Sequence, residues 1–246
     1  MPDPRQDSHI PGDGIKSIAL DPMAGAGIKR MRYKTGNRGS IALFKTMAPY
    51  IAQSYIELMG FGSLTKAQCE LLAKGVDLPG NPKPEAALAA RMIQAENRAC
   101  QMVEDDEFGF SGESFDAVYR ALNGEKNDDP APAQMLGEIA DRVKDVFGRA
   151  LYAFLLVLKL YPGDAAWELS GAVFMEACLA SARYAPLMIP SRERDLFITR
   201  LNAFRRDGDA SQILLLIRAI TQRSEKLRQR MQKQTANGSF FPYFPD

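Results

Sequence analysis

Histidine is almost missing from this chain: its 246 residues contain one, His9, in a stretch rich in Pro, Gly and Asp. A body without histidine excludes Ser-His and Cys-His nucleophile pairs, HExxH zinc sites and most imidazole acid-base chemistry. Cysteine is scarce too. Cys69, Cys100 and Cys178 are odd in number and lack CxxC spacing, which argues against a disulfide framework or a zinc site and fits a reducing compartment. Each lies in an apolar helical context and is expected to be a small buried hydrophobe. Charge of one sign is also lacking: 31 Lys and Arg face 30 Asp and Glu, for a net charge of +1. Any electrostatic partner must therefore be read by a local patch. The densest apolar run, "ALYAFLLVLKLY", is too short to span a bilayer and is interrupted by Lys159. The segment "MPDPRQDSHIPGDG" has no basic start followed by an apolar stretch, so no signal peptide is expected. The expected location is the cytoplasm, with export by a dedicated secretion system left open. No internal repeat and no convincing strand pair is present.

What is there is helical periodicity in a chain 46% hydrophobic. Residues 1 to 40 lack it and are expected to form a flexible N-terminal arm, ending in Lys29, Arg30, Arg32, Lys34 and Arg38 around Tyr33. That cluster has the composition to hold phosphates or anionic lipid. A first helix is predicted from Ile41, interrupted or kinked near Pro49. A short one follows, begun by Ser63 or Thr65 and ended by Gly75, then a longer one with Pro84 in its first turn. Another is capped by Ser111 or Ser114 and ended by Asn123-Gly124. The strongest signal is Leu136, Ile139, Val143, Val146, Phe147, Ala150, Leu151, Phe154, Leu155 and Leu158, at steps of three and four, read as one central core helix.

That run stops at "YPGD". Pro162 and Gly163 punctuate it, and Asp164 is placed to cap the next helix. "AAWELSGAVFMEACLASARY" is apolar all round and dense in small residues, as in a helix packed on several sides. After Pro190, Ser191 is predicted to cap a helix ended by Gly208. A last helix begins near Asp209 and turns basic through Arg223, Lys226, Arg228, Arg230 and Lys233. The tail "NGSFFPYFPD" presents Phe240, Phe241, Tyr243 and Phe244 for docking on the domain itself or on a second protein. The fold class is all-α: an arm over 1–40, a helical domain over 41–235 and an aromatic tail over 236–246.

The stretch "MEACLASARYAPLMIPSRERDLFITRLNAFRRDGDASQILLLI" resembles the Fic (Fido) family, a helical fold whose active members transfer AMP or related groups to protein hydroxyls. Tyr184, Pro186, Ile189, Pro190, Arg194, Phe197, Leu201, Gly208, Asp209 and Leu214 match its "GYPPxxIP", "RxxYxxAL" and "GDxxPLxxF" elements. Counting back without gaps lays Tyr161 to Ala172 on the family motif HPFx(D/E)GNGRxxR. Pro162 and Gly171 fit. The family's catalytic histidine falls on Tyr161 and its metal-holding acid on Ala165, with Asp164 one place early; a shift by one recovers Asp164 but neither histidine nor arginine. The phosphate-cradling positions fall on Ala166, Trp167 and Glu168, and the two arginines on Leu169 and Ala172. The resemblance also implies an inhibitory-motif glutamate at Glu57, in "QSYIEL", a Tyr119 where histidine is common, and a shortened target flap between Leu122 and Ala133.

Each replacement removes chemistry. Tyrosine, titrating at about 10 against about 6.5 for histidine, is a poor base at neutral pH. Trp167 fills volume where a phosphate would approach, and Glu168 adds negative charge there. The resemblance therefore implies a Fic-like helical bundle inactive as an AMP transferase, with no cofactor and no metal, acting through another protein or a second copy of itself. Two alternatives stay open. One is a divergent transferase using ATP with Mg²⁺ at Tyr161, Asp164 and Glu168, carboxylates four residues apart on one helical face. The other is a nucleic-acid or membrane-surface module working through the basic segments.

Overall fold

Capping residues and breakers set most helix limits in the computed structural model, which describes residues 18–30, 37–78 and 83–235, with side chains described as far as Arg223. The helices are α1 Asn37–Met59, α2 Lys66–Ala73, α3 Pro84–Glu104, α4 Gly112–Asn123 and α5 Ala131–Arg142. They continue as α6 Val146–Leu160, α7 Ala165–Ser181, α8 Arg194–Asp207, after a 3₁₀ turn at Ser191–Glu193, and α9 Ser211–Thr235. Among the described residues there is no strand beyond one isolated bridge, Ala19 to Asp209, so the chain is an all-α bundle. None of these helices is long and apolar enough to cross a membrane.

Thr65 caps α2 in a reciprocal box with Gln68, and the Ser111 hydroxyl accepts the Ser114 N–H at the start of α4. Gly124 ends α4 at φ +79°, in the left-handed region that only glycine enters freely.

Helix α7 is the hub. It packs against α1, α3, α4 and α6, and every residue from Glu168 to Ala180 is buried. Gly171 lets α7 lie close against α6: a Cβ there would stand 3.0 Å from Val157 Cβ. Cys69, Cys100 and Cys178 are free and buried, as expected of small hydrophobes.

Three expectations are corrected. Helix α1 is continuous through Pro49, so the interruption expected there is absent. Phe44, Ala48, Ile51, Ala52 and Tyr55 around it are fully buried, and their burial, at about 2 kcal/mol for each large side chain, offsets the roughly 3 kcal/mol of an interior proline. The single core helix over 136–158 is two helices. Val143 is extended, at φ −108° and ψ 120°, and Asp145 accepts the Gly148 N–H at 2.6 Å to begin α6. The carbonyls left at the end of α5 are taken up by Arg149, which donates to Val143 O at 2.7 Å and to Ala140 O at 2.9 Å. Periodicity survives this break because Val143 and Phe147 both point inward.

The third correction concerns the arm. Residues 18 to 28 form a strap fastened to the body, with Ile18, Leu20 and Ala24 buried. Asp21 N–H donates to Tyr152 Oη at 2.7 Å, and Lys144 N–H to Pro22 O at 3.1 Å. Arg142 Nη2 reaches Ile18 O at 2.8 Å, and Arg218 reaches Ala24 O and Met23 O at 2.7 and 2.9 Å. Gly25 allows the closest contact: a Cβ there would lie 1.9 Å from Asp145 Oδ1. Of the basic cluster, Lys29, Arg30 and Arg38 are exposed, Arg30 standing over the Tyr184 ring at 5.7 Å. Arg32, Tyr33 and Lys34 lie outside the described residues.

Candidate functional site

The turn between α6 and α7 brings Tyr161, Asp164 and Glu168 together, and each is held by a different bond. Gly163, at φ +79°, lets the chain reverse within three residues. Asp164 begins α7 as the sequence predicts: its Oδ1 accepts the N–H groups of Ala166 at 2.9 Å and Trp167 at 3.4 Å. Glu168, in the first turn, reaches back so that Oε1 accepts the Gly163 N–H at 2.8 Å. These amides are the donors a helix start would offer a phosphate. Here the chain's own carboxylates occupy them.

Glu168 is also ion-paired to Arg205 of α8 at 2.9 Å, its side chain 3% exposed. Burial pushes its carboxyl above the ordinary value, opposed by the Gly163 N–H and by Arg205. Arg205 Nε donates to Leu158 O at 2.8 Å. Lys159 Nζ donates to the carbonyls of Arg205 and Phe204 at the end of α8. Arg205 and Lys159 therefore tie helix ends together beside the turn.

Tyr161 donates its hydroxyl to Asp129 Oδ2 at 2.7 Å. Burial, and then Asp129, push the phenol well above the ordinary tyrosine value, which removes it further from a role as base. Its ring lies flat on Trp167, with centroids 4.0 Å apart and planes 7° apart. On its other contacts Trp167 meets Tyr119 at 4.6 Å and Phe115 at 6.2 Å. Tyr119 is pushed up by burial and by the Asp164 charge. Ala165 and Ala166 are half-buried beside this stack, and Leu169 and Ala172 are in the core.

The segment where the resemblance places a flap is folded against the same turn. Asn127 donates to Asp116 Oδ1 at 2.9 Å and to Asp129 O at 3.1 Å, and accepts the Asp129 N–H at 2.8 Å. Asp129 Oδ1 accepts the Ala131 N–H, leaving Oδ2 for Tyr161. Among the described residues, no group of three or more His, Cys, Asp or Glu side chains is placed to hold a metal.

Sequence reasoning missed Asp129 and Arg205, the partners of Tyr161 and Glu168. They lie 32 and 37 residues away, and neither has a local signal. Glu57 is half-buried at the end of α1, where its backbone carbonyl accepts Arg194 Nε at 3.0 Å, and Ala172, which the resemblance sets opposite it, is buried and uncharged. Arg223 pairs with Glu193 at 2.8 Å and is thereby anchored to the 3₁₀ turn. The side chains of Lys226, Arg228, Arg230 and Lys233 lie outside the described residues, as do Phe240, Phe241, Tyr243 and Phe244. No family model, curated protein or solved structure matches this chain.

Proposed function

We propose that this chain works by binding another protein and not by turnover, on a Fic-like helical scaffold whose motif turn is filled by its own side chains. The observation that carries the reading is the use of the amides at the start of α7: Gly163, Ala166 and Trp167 donate to Glu168 and Asp164. A phosphate brought within about 4 Å of an ionised carboxylate there meets a repulsion of about 4 kcal/mol near a protein surface. The Tyr161–Trp167 stack fills the adjoining volume.

The divergent-transferase reading is less favoured by the same geometry. Glu168 is engaged by Arg205, the Tyr161 hydroxyl by Asp129, and Asp164 Oδ1 by the first amides of α7, so each of the three proposed groups already has a partner within the chain.

Isothermal titration with ATP and Mg²⁺ tests the proposal. No heat of binding is expected at millimolar nucleotide, and micromolar affinity would overturn it. Incubation with labelled nucleotide and cell lysate separates the alternatives: transfer to protein hydroxyls by the unmutated chain would establish a transferase, and transfer that survives Asp164→Ala with Glu168→Ala would remove these residues from its site. A shift with DNA, RNA or anionic vesicles that vanishes as salt is raised would establish the surface-binding module.

A further inference from the structure

Two carboxyl groups in the core are not used by the turn. Glu96 on α3 is 1% exposed and Glu176 on α7 is 0%. Both lie where α7 meets α1 and α3, and neither has an ion-pair partner among the described residues. Glu96 Oε1 has no hydrogen-bond partner. Tyr55 of α1, also fully buried, joins Glu176 to the extended segment after α7. Its Oη is 2.9 Å from Glu176 Oε1 and 2.6 Å from the Leu187 carbonyl. The Leu187 N–H points back at Glu176, 3.1 Å from Oε1 and 3.3 Å from Oε2.

Counting protons decides the state of this cluster. Two short O···O contacts at the phenol require two protons, and a tyrosine hydroxyl supplies one. The Leu187 carbonyl can only accept, so the phenol donates to it. The contact with Glu176 is then a hydrogen bond only if the carboxyl carries the second proton and donates it to Tyr55. Glu96, without partner or counter-charge, is under the same pressure to remain neutral.

We propose that Glu96 and Glu176 form a coupled carboxyl pair that keeps its protons at neutral pH and releases them at alkaline pH by loosening the join between α1, α3 and the Leu187 segment. The titratable groups facing the pair are Tyr55 from α1 and Cys100 from α3. The half-exposed pair Lys45–Glu104, at 2.7 Å, acts on Cys100 from the rim. Burial is the main influence on both carboxyls: it holds Glu96 well above the ordinary value, helped by the charge of Glu176, and raises Glu176 to about 8. A carboxyl raised in the folded state binds its proton more tightly there than in the unfolded chain. Its contribution to stability is therefore complete below the ordinary value of 4.5 and lost as pH rises through about 8. Ionising Glu176 turns the phenol proton toward it and leaves the Leu187 carbonyl without a donor, so that segment opens first.

Infrared spectroscopy of the unmutated protein tests the assignment. A protonated carboxyl C=O band is expected at neutral pH, lost as the pH is raised. It should also be absent from the double variant Glu96→Gln with Glu176→Gln, in which the amide introduced at position 176 can still donate to Tyr55. The thermal midpoint of the unmutated protein should fall by about 5 °C or more between about pH 6 and about pH 9, and the double variant should lose most of that fall. Amide exchange at Leu187, corrected for intrinsic rate, should rise over the same interval. Absence of the band at neutral pH, in a protein that needs no variant to be measured, overturns the proposal; so does an undiminished fall in the double variant.

Discussion

Glu168 exposes 3% of its side chain and Arg205 25%, at 2.9 Å, so removing the carboxylate strands both the guanidinium and the Gly163 N–H. Glu168→Ala should destabilise by about 3 kcal/mol, and Glu168→Gln, which keeps an acceptor for both donors, by about 1 kcal/mol. Urea unfolding of the two variants measures the difference. The thiols give a second residue-level expectation. Burial pushes Cys69 to about 11 and Cys100 to about 12, and holds Cys178 well above the ordinary thiol value. A thiol reagent at pH 8 should find no fast-reacting cysteine in the native protein and three after denaturation. Asp164 as a cap was legible in the sequence, because Pro-Gly-Asp before an apolar run has one local meaning. The bonds of Tyr161 to Asp129 and of Glu168 to Arg205 were not, since no periodic or capping rule links residues more than thirty places apart. Glu96 was half legible: it stands among Met92, Ile93, Ala99 and Cys100 on the buried face of α3, where the apolar pattern alone would have exposed its burial.

The strap and the break between α5 and α6 are secured by the same carboxylate. Asp145 Oδ1 accepts the Gly148 N–H, and Oδ2 accepts the Gly25 N–H at 3.1 Å. Gly25→Ala puts a methyl group 1.9 Å from Asp145 Oδ1, so it should detach the strap and weaken the cap together, costing about 2 kcal/mol. Limited proteolysis should then cut within residues 18 to 30 at a protease level that leaves the unmutated strap intact. Helix identity and most ends were readable from Thr65, Ser111, Gly124 and Gly208, where side-chain chemistry or positive φ fixes the backbone. The strap was not readable, because its order comes from backbone bonds to distant side chains such as Tyr152, Arg142 and Arg218. Ser191 illustrates the opposite failure. It begins a 3₁₀ turn, and α8 starts at Arg194 without a side-chain cap, because the extended chain at Pro190 delivers the turn directly.

Helix α7 touches four others, so damage to it should spread through the bundle. Gly171→Val forces branched carbon into a gap that already admits a Cβ only at 3.0 Å from Val157. A loss of about 2 kcal/mol is expected, with unfolding still a single transition when followed by circular dichroism and by calorimetry. All-α class was legible here from the 3.6-residue pattern, whereas the filling of the turn needed the positions of α4, α5 and α8 around it. Trp167 is the chain's one indole, and it lies flat on Tyr161 at 4.0 Å. The molecule consequently carries its own optical probe at the place in dispute: a ligand that entered the turn would have to part those rings, and intrinsic fluorescence would register the parting without any label.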